Sequence, residues 1–337
     1  MEGKVTKSKA ANMMLSIFPH AHDNPSSGPP AYTQSLLRLY FQYYLSGLIE
    51  IQHGSSDQLV ILTADGVSIG AYRYIDERYQ PVSSESWLKD WPDGESKVRS
   101  INLPREAVRL MKELLLWYPA AETLTVTGSQ VVEFAEACKA HGRSGIARFS
   151  WQGAQGFLVF ARGRLLTYET VFSADKGVEA GASHLPSIYR QTGSCTIEWF
   201  QAQAGTPPYH EQTLRLAGAN WCKHILQRYL QMAGKSLLAA LSSDVNQVAH
   251  LSSIYMQVVG DSLIDTHEFA SFEDAAQAYR DLLYTMKTHI SAVLGSGLTG
   301  QMLAFTYELL DPEDRQILRE IHLEPGILAT KPLHVDS

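Results

Sequence analysis

The most informative pattern in this chain is a pair of alternating hydrophobic stretches that begin with Ser-Gly and turn at a second glycine. The first begins at Ser46-Gly47 and turns at Asp65-Gly66, and the second begins at Ser144-Gly145 and turns at Arg162-Gly163. The two glycines are 19 residues apart in the first stretch and 18 in the second. Alternating stretches bounded by glycine predict β-hairpins. We therefore expect a duplicated module with structural turns at Gly47, Gly66, Gly145 and Gly163.

Helical patterns surround both hairpins. Apolar residues at helical spacing precede the first hairpin, and residues 131–138 precede the second in the same way. Pro104 opens a helix that leads to a strand at 123–127, and a helix near 182–189 leads to a strand at 195–200. We interpret these strands as the closing strands of two modules, at residues 32–127 and 128–205. A polar insertion over residues 76–100 distinguishes the first module.

Beyond Gly205-Thr206-Pro207-Pro208 the strand pattern disappears and apolar residues recur at helical spacing. Ser271 and Asp274 form a capping pattern, and Asp311-Pro312 opens a last short helix. These signals predict a helical bundle at residues 209–323. Residues 1–31 are expected to form a flexible tail, in which 24–30 bar any regular element, and residues 324–337 a loose one. The predicted fold class is α+β: two tandem small α/β modules followed by an all-α bundle.

Residues 33–203 resemble the PATAN domain, named for the amino-terminal part of a cyanobacterial heterocyst-patterning regulator. The resemblance rests on an apolar helix followed by a Gly-containing strand (residues 46–51 and 144–146) and a strand turning at glycine (64–66 and 156–165). Residues 191–198 are similar to that family's closing strand. The resemblance implies a non-enzymatic interaction module of bacterial signalling and surface-motility proteins. The insertion and the helical region fall outside it, and no receiver domain is visible.

Charge and cysteine content narrow the functional classes. The formal net charge of −7 argues against a general nucleic-acid binder, which normally carries a basic field. Cys138, Cys195 and Cys222 are odd in number and far apart, which favours reduced thiols in the cytoplasm. Cys138 lies on an apolar helix face and Cys195 opens a strand, so both are expected to be buried. No apolar stretch is long enough for a membrane span, and residues 13–18 are too short for a signal-peptide core.

Each local motif that suggests catalysis or cofactor binding lacks residues that its chemistry requires. Gly234-Lys235-Ser236 lacks the earlier glycine and the strand of a phosphate loop, so an inter-helix turn is expected there. His250, His267 and His289 are spread over three helical segments, and Gly295 is interpreted as a helix stop rather than part of a nucleophile elbow. We therefore expect no catalytic residue, no metal site and no cofactor.

Five aromatic residues are the candidate interface. Tyr40, Tyr43 and Tyr44 belong to an aromatic run that covers more than one face of its helix, so most of it is expected in the core and part at a partner. Trp87 and Trp91 lie in the polar insertion, where local packing and an interface anchor are both open.

Together these patterns predict a non-catalytic bacterial signalling adaptor that binds other proteins through strand edges or the bundle, with a homodimer through the helices as a further option. Two alternatives stay open. One is an enzyme with a dispersed active site, which a pocket with convergent titratable groups would support. The other is a transcriptional regulator using the C-terminal helices, which would call for a basic recognition helix, whereas residues 282–293 carry only Lys287 and His289.

Overall fold

The structure is a computed structural model. It describes residues 23–328 except for 29, 54–56, 77, 83–95, 129, 176, 253, 266, 268 and 270. The chain divides into two compact units, residues 1–206 and 207–337. Antiparallel sheets and helices form the first unit, and helices dominate the second, so the predicted α+β class is confirmed.

The first half of the first unit is built around an antiparallel sheet, sheet A. Its strands lie in the order β1-β6-β2-β3-β4-β5. The elements are β1 (Asp23–Gly28), α1 (Pro30–Gln42), β2 (Gly47–His53), β3 (Asp57–Ala64), β4 (Val67–Ile75), β5 (Arg78–Pro81) and β6 (Ser96–Asn102).

Helix α2 (Arg105–Trp117) then leads to a second antiparallel sheet, sheet B. Its order is β7-β13-β8-β9-β11-β12, and β10 pairs with β9. Its elements are β7 (Glu122–Thr127), α3 (Gln130–Ala140), β8 (Gly145–Trp151), β9 (Ala154–Ala161), β10 (Arg164–Leu165), β11 (Val171–Ala174), β12 (Gly177–Ala180), α4 (Leu185–Tyr189) and β13 (Ser194–Gln201).

The two sheets repeat one topology. A strand and a helix come first, four strands follow in hairpin order, and the last strand inserts between the first and the second. We call residues 23–102 copy 1 and residues 122–201 copy 2. In each copy one helix, α1 or α3, covers one face of the sheet and buries an apolar cluster there.

The copy boundaries differ from the sequence interpretation. Strand β7 pairs with β13, so it opens copy 2 and does not close the first module. Copy 1 begins with β1, in a segment assigned to the flexible tail and expected to bar regular structure. Its residues, Asp-Asn-Pro-Ser-Ser-Gly, are poor strand formers; the backbone pairing with β6 places them in the sheet.

The polar insertion is also shorter than expected. Strands β5 and β6 occupy its two ends, and β6 pairs with β2 over residues 97–102. Trp87 and Trp91 lie outside the described residues.

Helix α2 packs on both sheets. It contacts β2–β5 of sheet A and β12 and β13 of sheet B, and nearly all of its residues are buried. The burial includes Arg109, whose Nη1 lies 3.0 Å from Oε1 of the equally buried Glu169 in copy 2. A buried carboxylate needs such a partner, so this pair fixes α2 to copy 2.

In the residues of the second unit that the structure describes, one hairpin interrupts an otherwise helical chain. Its elements are α5 (Pro207–Ala233), α6 (Lys235–Leu251), β14 (Met256–Val259), β15 (Ser262–Asp265), α7 (Phe272–Leu294), α8 (Ser296–Glu308), α9 (Pro312–Glu320) and α10 (Pro325–Leu328). The hairpin contradicts the expectation of an all-α region, and α10 lies where a loose tail was expected to begin. Among the helices that the structure describes, none is long and apolar enough to cross a bilayer.

Helix ends in this unit follow the sequence signals. Ser271 Oγ accepts the backbone N–H of Asp274 at 3.1 Å, which confirms the predicted cap of α7. Gly295 ends α7 with a φ of 81°, and Gly234 separates α5 from α6 with a φ of 87°.

Candidate functional site

Both copies build the joint between the helix and the next strand in the same way. Asp65 N–H donates to Ser46 Oγ at 2.8 Å, and Arg162 N–H donates to Ser144 Oγ at 2.8 Å. Ser46 thus holds the β-turn between β3 and β4, and Ser144 holds the one between β9 and β10. Asp65 and Arg162 each have a φ near 49° (49° and 48°), as a tight turn of this kind requires.

The glycines of the Ser-Gly pairs allow close contact with the neighbouring strand. A Cβ on Gly47 would overlap the carbonyl oxygen of Ile101, and a Cβ on Gly145 would overlap that of Phe200. Because both obstacles are backbone atoms, no side chain can move aside to make room.

The turn glycines lie against the ends of the helices. A Cβ on Gly66 would lie 2.8 Å from the carbonyl oxygen of Phe41, and one on Gly163 would lie 2.6 Å from that of Lys139. Both glycines have positive φ, 78° and 74°, which L residues with a side chain rarely adopt. The four predicted glycines therefore hold equivalent places in the two copies, two at helix–strand joints and two at turns.

Burial is duplicated as well. Residues 34–47 and 132–145 show the same order of exposed, half-buried and buried positions, with an offset of 98 residues. Tyr40 corresponds to Cys138, and both are buried on the sheet. Tyr40 Oη also donates to Asn102 Oδ1 at 2.7 Å, and burial raises its pKa above the ordinary value. Tyr40 is therefore a core residue, which the run of aromatic neighbours in the sequence does not by itself reveal.

Tyr43 and Tyr44 have the opposite environment. They are 62% and 77% exposed, at the turn that ends α1. Tyr32 and Leu39 share one side of α1 with Tyr43 by helical spacing, and Phe41 lies on another side. All of them are exposed on either side of the buried stripe of α1, and we use the name α1 apolar face for the whole set: Tyr32, Leu39, Phe41, Tyr43 and Tyr44.

Copy 2 carries different residues at the equivalent exposed positions. The α1 apolar face corresponds to Gln130, Ala137, Lys139, His141 and Gly142, in the same order. All five are exposed too. The fold therefore does not require apolar side chains at these positions, and the apolar character is particular to copy 1.

Tyr44 adds a conformational anomaly. Its φ is 52°, a left-handed backbone conformation that is costly for a bulky residue, whereas its counterpart Gly142 has a φ of 62° and no penalty. The Tyr44 ring gains no burial in return. Strained residues that the core does not explain are common at functional positions.

Buried charges were missed by the sequence interpretation. In the second unit, Arg215 Nη1 lies 2.9 Å from Asp265 Oδ2, and Arg215 Nη2 donates to Glu211 Oε1 at 2.7 Å and to the His267 carbonyl oxygen. Tyr279 Oη donates to Asp265 Oδ2 at 2.8 Å. Burial alone lowers the pKa of Arg215, but the Asp265 and Glu211 carboxylates raise it well above its usual value. The only sequence signal was a helical Glu–Arg spacing of four residues.

This cluster has the composition of an active site but not its accessibility. The Arg215 and Asp265 side chains are at most 5% exposed, so the charges compensate one another out of reach of solvent. The network fixes the end of the β14–β15 hairpin to α5, which is a structural role.

His289 and Asp244 form a second pair of titratable side chains in this unit. His289 Nδ1 lies 2.6 Å from Asp244 Oδ2, and its ring packs edge-on against Tyr229. The remaining nitrogen, Nε2, is buried, so the imidazole offers no nitrogen to a molecule in solvent. Over the part of the chain that the structure describes, no three His, Cys, Asp or Glu side chains are grouped closely enough for a metal ion.

Comparison with protein-family models, with curated proteins and with solved structures finds no match to this chain. The α1 apolar face is therefore interpreted from its own geometry.

Proposed function

We propose that this protein is a non-catalytic adaptor that binds another protein through the α1 apolar face. The observation that carries the proposal is Tyr44, which combines a strained backbone with a ring left 77% exposed. Aromatic side chains at such positions are favoured anchors in protein interfaces because they bury a large area with little loss of side-chain entropy.

The duplication supports the same function. Copy 2 keeps the fold with Gln130, Ala137, Lys139, His141 and Gly142 where copy 1 has apolar residues. An exposed apolar set that the fold does not need is costly in water and is usually retained for contact with a partner. The resemblance to PATAN modules, which would place the adaptor in bacterial signalling, stays a prediction.

The test replaces four of the five residues of the α1 apolar face with their counterparts in copy 2 and leaves Tyr32 unchanged. The full chain carrying Leu39→Ala, Phe41→Lys, Tyr43→His and Tyr44→Gly is immobilised beside the wild-type chain, and proteins retained from a native lysate are compared by quantitative mass spectrometry. A matched control carries Lys139→Ala and His141→Ala on α3. We expect a protein retained by the wild type and the control but lost, at least tenfold, by the four-residue variant.

The retained protein is then purified and titrated against the same three chains. Equal binding to the wild type and the four-residue variant contradicts the proposal, as does retention of the same proteins by all three chains. Because every replacement residue occupies the same position in copy 2, loss of binding cannot be attributed to an incompatible side chain in the fold. Far-UV circular dichroism checks that all three chains are folded.

A further inference from the structure

The outer edge of β7 is a second surface in the first unit, independent of the α1 apolar face. Strand β7 pairs with β13 on one side, and no described strand pairs with the other side. Its sequence, Glu-Thr-Leu-Thr-Val-Thr, contains good strand formers and no proline or lysine. The equivalent strand of copy 1, β1, includes Pro25, which has no N–H to offer a new strand. Open edges of this kind recruit further strands.

Two hydrogen bonds establish which backbone groups of β7 are free to pair. Gly128 N–H donates to the Gly193 carbonyl oxygen across the ladder at 2.8 Å, whereas Thr127 N–H donates to Gln130 Oε1 at 2.9 Å. Along an antiparallel strand the backbone N–H and C=O groups of successive residues point to alternate edges of the strand. Those of Thr123 and Thr125 therefore point outward, as those of Thr127 do. The outward edge therefore presents the N–H and C=O groups of Thr123 and Thr125.

Gln130 limits the length of this edge. Its side chain occupies the Thr127 N–H, so an incoming strand meets only two residues with both backbone groups available. Between these two residues stands Leu124, whose side chain is 44% exposed.

We infer that β7 pairs with β7 of a second copy of this chain, antiparallel and centred on Leu124. In this register Thr123 exchanges both backbone hydrogen bonds with the partner's Thr125, and Thr125 does the same with the partner's Thr123. Leu124 faces the partner's Leu124 in a non-hydrogen-bonded pair, where Cα atoms are about 4.5 Å apart and side chains pack closely. The two sheets become one, with twofold symmetry.

The register identifies a second copy as the occupant because the edge is complementary to itself. The two outward residues are symmetric about Leu124, so self-pairing satisfies all four of their N–H and C=O groups. A shift by two residues brings either Thr127 or Ala121 into the ladder, although the N–H of each is already bonded, to Gln130 Oε1 and to the Trp199 carbonyl oxygen. Glu122, which is paired with Arg143 at 2.8 Å, falls opposite the partner's Val126, so no like charges oppose.

The sharpest test is disulfide trapping of the full chain. Leu124→Cys places two thiols directly across the twofold axis, within the Cα separation that a disulfide needs. Thr123→Cys, the matched control, faces Thr125 of the partner subunit instead. The native thiols interfere little because burial raises the pKa of Cys138 and Cys195 to about 11 and that of Cys222 to about 12.

Under mild oxidation we expect Leu124→Cys to form a covalent dimer at least tenfold faster than Thr123→Cys. Equal rates, or no covalent dimer from Leu124→Cys, would overturn the inference.

Sedimentation over a concentration series provides a second measurement, which gives the strength of the dimer without disulfide trapping. Leu124→Lys, on an exposed position, places two like charges across the axis and should weaken the dimer about tenfold or more. Leu124→Val, which keeps an apolar pair, should stay within about threefold of the wild type. A wild-type chain that stays monomeric, or a dimer that Leu124→Lys leaves unchanged, rules the β7 pairing out.

Discussion

Copy 1 and copy 2 share the joint between helix and strand but differ in what that joint presents to solvent. Ser46 and Ser144 hold the same turn, and Gly47 and Gly145 lie against the same strand. The exposed positions around the joint carry apolar side chains in copy 1 and mostly polar or small ones in copy 2. What the copies share marks the requirements of the fold, and what differs marks positions free to acquire a function.

The largest loss of stability should come from substitutions of the glycines that both copies share at the joint. Gly47→Ala and Gly145→Ala each force a Cβ into a backbone carbonyl, so the sheet must open at the joint. We expect a loss of about 4 kcal/mol in the free energy of unfolding for either variant, or failure to fold. Urea unfolding followed by tryptophan fluorescence measures this loss, since five of the six tryptophans lie before Thr206.

Gly153→Ala is the matched control for these variants. The φ of Gly153 is positive, 79°, but no atom lies within 4 Å of its added Cβ, so Gly153→Ala should cost only about 1 kcal/mol. If Gly47→Ala proved as mild as Gly153→Ala, the contact between residue 47 and the Ile101 carbonyl oxygen would not be a requirement of the fold.

The next effect concerns the buried ion pair that fixes α2 to copy 2. Arg109→Met leaves the buried Glu169 carboxylate without its ion pair and should destabilise the first unit by about 3 kcal/mol. Arg109→Met combined with Glu169→Leu removes both charges and should recover more than half of that loss in the same urea experiment. Additive losses in the double variant would show that the two residues act separately.

A smaller effect tests the strained position. Gly142→Tyr places an aromatic residue in the left-handed conformation of copy 2 and should cost about 1 kcal/mol, whereas Tyr44→Gly should leave stability unchanged or raise it by about 0.5 kcal/mol. Thermal unfolding of the two variants compares them directly. A large loss on Tyr44→Gly would mean that the ring supports the fold rather than a partner.

The smallest effect is expected on the α1 apolar face itself. Phe41→Lys, which introduces the residue of copy 2, should change the free energy of unfolding by less than about 0.5 kcal/mol because the side chain is exposed. A loss above about 1 kcal/mol in urea unfolding would show that Phe41 contributes to the core.

Much of the fold could be predicted because its signals are local. The two Ser-Gly hairpins, the helices before them, the Ser271 cap and the glycine that separates α5 from α6 depend on residues within a few positions of one another. The burial of Cys138 and Cys195 was predicted from their places on an apolar helix face and at the start of a strand.

The errors occurred where distant pairing decided the structure. The sequence Asp-Asn-Pro-Ser-Ser-Gly has the composition of a loop, yet β6 recruits it as β1, and β7 joins sheet B rather than sheet A. Residues 256–265 form a hairpin too short for its period to be recognised among helices. The partners of Arg109 and Arg215 are 50 or more residues away, except for Glu211.

The candidate site divides in the same way. The sequence by itself determined the aromatic run before the first hairpin and the four glycines, because helical spacing and backbone freedom are properties of neighbouring residues. Only the tertiary structure decided that Tyr40 is buried and that Tyr43 and Tyr44 are exposed, since the position of the sheet sets which side of α1 is covered. The tertiary structure likewise decided which edge of β7 is open, since β13, a strand far away in the chain, pairs with its other edge.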